Sequence, residues 1–524
     1  MGTARLQNST SIIGGAELPP QEDEAVWTYI LLLLRGIMRP SRRLAISALS
    51  IRATLATDCC RELSQAIGQA VVNFPGSSQY DATEASYWSL QESDLKPACI
   101  VRPTSAQGVS RAIKVIKSTP DCKFAIKGQG HSPAAGFANV DGGVTLDMTS
   151  LASIETSSDH SVAKVGAGAS WLDVYRHLDP LGVEVAGGRN GNVGVGGLLL
   201  GGGISHFTTR VGWACDNVVN FEIVVADGSL VNANRTSHPD LFRALKGGAN
   251  NFGIVTRFDL ATFPQGNISS TSLVHDISQR EAVFSAFTDI ANTVPFDPYT
   301  SLVMGLLYNS TSGRWIMSTS AVYTKPVLNP PVFSNLLSIP SLSNSSAITS
   351  LSTLADEAPT PPLARNWLFA TATFKASTSL LVDIFEVLNE TLYSFNPQGG
   401  VVWDVALEPL AGAMLSRPQS NGDNVLGIES SDKGFVLLLS ALWPNSSSRQ
   451  AVQNRAKQAL SRVEACAKTK NQLQAFQYLN YAAPYQAPLA SYGHKNVEFL
   501  LKVRAAYDPE EIFQKRVGGG FKLS

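Results

Sequence analysis

The chain has 524 residues, and its 41 basic side chains nearly balance 42 acidic ones, leaving a formal charge of −1 with 16% of positions charged. Such a surface lacks the positive field that displaces counterions from a duplex, so nucleic acid is excluded as a partner by bulk electrostatics. An apolar share of 44% argues against disorder, and at roughly 150 residues per domain the length gives two to four lobes with ample core.

The apolar run Ala25 to Leu34 ends at Arg35, short of the roughly 20 residues that span a bilayer, so no stable membrane insertion is expected. From Met38 the chain reads Arg39, Arg42 and Arg43, then the apolar stretch Leu44 to Ile51, then small residues ending at Ala56. That basic, apolar, small order is typical of a secretory signal, although Arg52 shortens its core. Residues 1–57 then form a leader, its first 37 residues a propeptide or an extension upstream of the true start. A cytosolic tail is the alternative; an exported protein is the preferred reading.

Six cysteines, Cys59, Cys60, Cys99, Cys122, Cys215 and Cys466, make no CxxC pair, and no two histidines stand at HxxxH spacing, so no metal site is expected. In an oxidising compartment Cys59 and Cys60 pair with Cys99 and Cys122 in some order; inert buried thiols are the other reading. Seven N-x-S/T sequons, at Asn8, Asn234, Asn267, Asn309, Asn344, Asn389 and Asn445, permit glycosylation.

After the leader, Ile100 and Val101 form a short strand before a helix from Ala106 to Lys117, whose Val109, Ala112, Ile113 and Ile116 recur at helical spacing. Phe124 to Ile126 is a strand running into the turn Lys127-Gly128-Gln129-Gly130-His131-Ser132, which makes an α/β opening. Gly143 to Asp147 and Val162 to Gly166 are strand-like, and Ser170 with Asp173 caps a helix to Leu178. Phe221 to Ala226, the turn Asp227-Gly228 and Leu230 to Ala233 read as a hairpin, followed by a helix from Pro239 to Leu245 and a strand from Phe252 to Leu260. Beyond Pro264, polar turns separate the apolar runs Leu302 to Leu307, Trp315 to Tyr323 and Gly434 to Leu442, with helices at Arg280 to Asn292 and Thr378 to Phe395 and a loop from Ser338 to Pro362. This is a second α+β lobe with a largely antiparallel sheet.

The densest glycine cluster runs from Gly187 to Gly203. Backbone without side chains can bring N–H groups to a pyrophosphate or a flat ring at contact distance, so a dinucleotide is the first candidate ligand. The cluster lies deep in the chain and opens no clear helix in the G-x-G-x-x-G register, which disfavours NAD on a Rossmann fold. No Walker A loop is present either. Alone, the cluster fits a glycine-rich core bend about as well as a cofactor site.

The turn Lys127 to Ser132, the glycine cluster, Gly212 to Asn217, Lys246 to Val255, Tyr478-Leu479-Asn480-Tyr481 and the tail from Tyr507-Asp508-Pro509 to Leu523 decide between those readings. In this order, over roughly residues 58 to 524, they resemble the berberine-bridge-enzyme-like FAD-linked oxidases of the vanillyl-alcohol-oxidase class. The resemblance implies an α+β fold. A PCMH-type FAD-binding domain of two α/β subdomains would span 92–265, and a substrate lobe with a mainly antiparallel sheet covered by helices 266–469. A C-terminal segment, 470–524, would complete the FAD domain.

It further implies FAD as cofactor, with Lys127, Gly128, Gln129, Gly130 and Ser132 forming the pyrophosphate turn and His131 bonded through its imidazole to the flavin 8α-methyl. Gln129 departs from the family's double glycine. Val193, Gly194, Gly196, Gly197, Asn217 and Val255 would also meet the cofactor. Tyr478 and Asn480 would hold the ring and ribityl chain. Many relatives carry a second, cysteinyl link in the later cluster; Asn190 stands there, so a single histidyl link is expected. Val193 aligns with the position whose small residue leaves room for dioxygen, which favours an oxidase. Tyr481 is the expected acceptor of the substrate's hydroxyl proton, although a phenol near pKa 10 needs help to act as a base.

The function implied is a secreted, monomeric FAD-dependent oxidase of fungal secondary-metabolism type. It would take hydride from an alcohol or allylic carbon of a small hydrophobic metabolite and use O2 to form H2O2. Alternatives are an oligosaccharide oxidase, a flavin-dependent cyclase acting after oxidation, and a glycoprotein holding flavin without catalysis.

Overall fold

Short apolar runs separated by glycine turns build two small sheets, and long alternating runs build one large one. The computed structural model describes residues 49–357, 365–416 and 423–523, with side chains from Asp58 onward. The leader up to residue 48, including the Ala25 to Leu34 run, and the sequon at Asn8 lie outside the described residues.

The first sheet joins Val72–Asn73 (β1), Cys99–Val101 (β2), Phe124–Lys127 (β3) and Val144–Asp147 (β4) in the order β1-β2-β4-β3. Its β2, β4 and β3 run parallel, as crossover connections require, while β1 adds an antiparallel edge from chain before residue 92. The helix Ala106–Ser118 crosses over: Ser105 Oγ accepts from the Gly108 N–H at 3.1 Å, and Val109, Ala112, Ile113 and Ile116 are buried. Disulfides Cys59–Cys122 and Cys60–Cys99 tie the helix Leu49–Ile67 to this unit, in one of the two pairings the sequence allows.

The second sheet is antiparallel, with Ile154–Thr156 (β5), Val162–Gly166 (β6), Val218–Val224 (β8), Leu230–Asn234 (β9) and Ile254–Ala261 (β10) in the order β5-β6-β10-β8-β9. Between β6 and β8 lies Val183–Glu184 (β7), which pairs with Phe263–Pro264 (β11) just where the chain leaves this unit.

The remaining strands form one antiparallel sheet: Ile268–Asp276 (β12), Thr300–Asn309 (β13), Arg314–Tyr323 (β14), Ser343–Thr349 (β15), Asn366–Phe374 (β16), Val402–Leu410 (β17), Gly434–Trp443 (β18) and Leu473–Gln474 (β19). The order is β15-β12-β14-β13-β17-β18-β16-β19. Its back face, including Leu306, Met317, Trp403, Leu439 and Ala441, packs against helices Arg280–Asn292, Thr378–Leu392 and Arg449–Thr469 to form a core of its own. The C-terminal segment then returns to the first sheet, where Val517 bridges Phe124.

One expectation fails here. Ser338 to Pro362 is not a loop throughout: it contains β15 and the helix Leu351–Glu357, while residues 358–362 lie outside the described ones. As an edge strand with nearly every side chain exposed, β15 has no buried face and so no apolar alternation to read; seven backbone pairings with β12 define it instead. The helices Arg449–Thr469 and His494–Tyr507 were also not anticipated: the first is mostly polar, and the second buries only Leu500 and Val503, so its apolar residues mark no single face.

Candidate active site

A cavity of about 460 Å3 opens among the two small sheets, the front of the large sheet and the C-terminal segment. That volume lies within the range of small-molecule and cofactor sites. Of the residues assigned to the cofactor from sequence, Gly128, Gln129, Gly130, His131, Ser132, Val193, Gly194, Gly196, Gly197, Val255, Tyr478 and Asn480 line it, as does Tyr481.

Lys127 and Asn217 stand behind this wall. Lys127 is buried with its Nζ 3.8 Å from Asp147 Oδ2 and donates to the Gly128 carbonyl. Burial lowers its pKa, and Asp147 opposes the shift. Asn217 spends its side-chain donors on the carbonyls of Val211 and Trp213, which fixes the turn before β8. Both shape the backbone around the cavity without facing it.

The glycine cluster divides the same way. A Cβ on Gly187 would stand 2.2 Å from the Trp171 ring, and one on Gly201 would stand 2.0 Å from Asn480 Oδ1, so those glycines exist for packing. A Cβ on Gly197 would meet nothing within 4 Å, which leaves open wall for a flat ligand. Gln129, where a second glycine was expected, donates from its side chain to the Gly168 carbonyl at 2.7 Å and so braces the turn against the second sheet.

His131 sits just past Gly130, whose φ of +71° turns the chain into the cavity. Its imidazole stacks on Trp88 with ring centroids 4.4 Å apart, and Trp88 stacks in turn on Trp367 at 4.1 Å. Burial pushes the His131 pKa down to about 4, so the ring is neutral near pH 7 and keeps a nucleophilic lone pair. The two free thiols, Cys215 and Cys466, do not line the cavity.

At the large-sheet side, Tyr481 enters a network that the sequence did not reveal. Arg189 donates to the Tyr481 hydroxyl at 2.8 Å and to Glu408 Oε1 at 2.7 Å, while the Tyr481 hydroxyl donates to the same Oε1 at 2.7 Å. Burial, and then the Glu408 charge, raise the Tyr481 pKa well above 10; Arg189 opposes them without prevailing. Burial and the Glu408 carboxylate together therefore keep the phenol protonated, the reverse of the help expected from sequence. Burial works against the Arg189 charge, yet the adjacent Glu408 holds the guanidinium above its usual range. Tyr478 packs edge-on to Tyr481 with centroids 4.7 Å apart, and its hydroxyl accepts from the Ile204 N–H and from Asn480. Glu408 carried a readable signal, as one of two acids, with Asp404, in the apolar run Val401 to Leu410; Arg189, surrounded by glycines, carried none.

A glycine-walled cavity with a neutral imidazole on one side and a buried phenol–carboxylate–guanidinium network on another suits a flavin site. Residues 97–234 match the FAD binding domain family. The chain is 38% identical to the FAD-dependent monooxygenase tpcD of Cochliobolus heterostrophus, an alignment covering 86% of this chain and 90% of that protein. It is 31% identical to the bifunctional solanapyrone synthase of Alternaria solani, covering 88% of each. Among solved structures, the glucooligosaccharide oxidase of Acremonium strictum, described with a 6-S-cysteinyl, 8α-N1-histidyl FAD, has a TM-score of 0.72 at 20% identity, covering 88% of this chain and 99% of that one. That likeness carries the fold alone. The chain belongs to the family of FAD-dependent oxidoreductases that includes these two fungal proteins.

Proposed function

We propose that this enzyme is an oxidase that withdraws two electrons from an alcohol or allylic carbon of a small, largely apolar metabolite and passes them to O2, releasing H2O2. The observation that carries this reading is the Tyr481 hydroxyl, held at the cavity wall between Arg189 and Glu408. FAD, when bound, supplies the hydride acceptor and the return of electrons to oxygen. Gly128, Gly130, Gly194, Gly196 and Gly197 would hold it through the backbone, and His131 would be its single covalent anchor.

Because Tyr481 rests protonated, it accepts the substrate's hydroxyl proton as its own proton moves to Glu408 Oε1, so the charge leaving the substrate oxygen is taken up by the carboxylate. Arg189 keeps both oxygens in line and offsets the charge that develops between them. The half-buried front-face residues Phe369, Leu438, Leu307 and Ile316 present apolar surface, which supports a hydrophobic metabolite over an oligosaccharide. Two disulfides support export to an oxidising compartment.

The test is anaerobic addition of a panel of allylic and benzylic alcohols and of sugars to the purified yellow protein. Bleaching by alcohols, recovery in air and one peroxide per carbonyl formed support the reading; reduction by sugars alone overturns it. A second reading, favoured by the name of tpcD, has one oxygen atom enter the product. Labelled dioxygen separates the two, since an oxidase leaves no label in the organic product.

A further inference from the structure

Strand pairing places Phe369, Ser440, Asp404, Leu307 and Ile316 side by side across β16, β18, β17, β13 and β14. All but Ser440 remain half-buried, while the opposite face of the same strands is sealed in the helix-covered core. Phe369 lines the cavity, and the other four stand on the same face of the sheet beyond its lining, in a row that leads away from it. Asp404 is the one acid in the row. Among the described residues its side chain makes no hydrogen bond or ion pair, and its carboxyl leans over Gly305: a Cβ there would stand 3.1 Å from Asp404 Oδ1 and 2.8 Å from Ser318 Oγ. The missing side chain leaves a notch beside the carboxyl. Burial alone raises the Asp404 pKa to about 7.

Asp404 and Glu408 share one face of β17 four residues apart, about 13 Å along an extended strand. Glu408 marks the reacting end through Tyr481, whose hydroxyl stands 2.7 Å from it, so a substrate that reaches from there towards Asp404 spans about 10 Å of that face. We propose that Asp404 anchors a distal substrate subsite, accepting a hydrogen bond from a phenolic or alcoholic hydroxyl that the substrate carries about 10 Å from the carbon being oxidised. An unpaired carboxyl in an apolar wall lacks its hydrogen bond until such a donor arrives, and a neutral hydroxyl supplies it without the desolvation that an ammonium would suffer.

The inference rests on the oxidation proposed above, and the test separates the two. Binding of biphenyl-4-methanol and of 4′-hydroxybiphenyl-4-methanol to the flavin-loaded protein is measured without oxygen by calorimetry, and oxidation of each is measured separately in air. The wild type should bind the hydroxylated probe about 10-fold to 100-fold more tightly. Asp404→Leu should bring that ratio to about one, and Asp404→Asn, which keeps an acceptor and the volume, should fall between. Equal binding of both probes by the wild type, failure of both to bind, or an undiminished ratio in Asp404→Leu overturns the subsite. A preference in binding with no oxidation of either probe leaves the subsite standing and sinks the proposed chemistry.

Discussion

Glu408→Gln tests the proton relay most directly. The substitution keeps the side chain's length and its acceptor oxygen but removes the charge. Glu408 exposes 4% of its side chain and Arg189 20%, so the pair lies where losing one partner costs about 3–5 kcal/mol; a retained acceptor for Arg189 places the loss near 3 kcal/mol. The proton held by Tyr481 loses its destination, and positioned proton transfer contributes about 100-fold to 10,000-fold, so flavin reduction should slow by at least about 100-fold. Tyr481→Phe should slow it equally while leaving the Arg189–Glu408 pair in place, at a stability cost of about 1.5–3 kcal/mol for one hydrogen bond to a charged group. Residues that form one relay are not additive, so the double variant should react within about threefold of the slower single variant. Anaerobic stopped-flow bleaching measures the rates, and urea unfolding of the flavin-loaded protein measures the stabilities. If Tyr481→Phe keeps its rate within about threefold of wild type, or if the two losses multiply, the relay is wrong.

His131→Ala should release all flavin on acid precipitation, whereas wild-type protein should retain flavin mass on the tryptic peptide bearing His131 and on no cysteine peptide. Replacing either disulfide with serines should destabilise the protein by about 4 kcal/mol in urea unfolding, as loops of 63 and 39 residues imply. A third prediction concerns acid. Burial, and then Arg189, push His206 down to about 3, while its Nδ1 lies 3.0 Å from Ser301 Oγ. The unfolded chain takes up this proton near pH 6.5 and the folded protein does not, so stability falls as pH drops from about 6.5 towards 3, by up to about 1.4 kcal/mol per pH unit. Urea midpoints at pH 7 and pH 5 should therefore converge by about one proton's worth in His206→Asn; an unchanged difference would place the acid sensitivity elsewhere.

The parts of the fold that were legible are those in which one face is buried and the other is not. The helix Ala106–Ser118 buries the four apolar positions named from its spacing, and Arg280–Asn292 falls on its expected bounds. Hairpin β8–β9 follows from Asp227-Gly228, where Gly228 adopts φ +81°. Pattern reading fails where burial is weak: β15 is a strand by its neighbour's hydrogen bonds alone, and Arg449–Thr469 hides a narrow apolar stripe, Val452, Ala456, Leu460 and Val463, among charges.

The same distinction governs the site. Backbone constraints write themselves into sequence as glycines, which is why the walls at Gly128 to Gly130 and Gly194 to Gly197 could be named in advance, although the reason for each glycine could not: Gly187 and Gly201 answer to Trp171 and Asn480. Side chains that act across strands leave no such mark, because their partners are set by register. Glu408 reaches Tyr481 over 73 residues of chain and Arg189 reaches Glu408 over 219. Asp404 meets Leu307 and Ser440 only through the pairing of β17 with β13 and β18. A one-residue slip of β17 would turn Asp404 and Glu408 into the back core and bring Trp403 and Leu407 to the front, replacing both carboxyls with apolar groups. The apolar back face of this strand therefore fixes the chemistry of its front, since burying Trp403, Val405 and Leu407 is what holds the two acids towards the cavity side of the sheet.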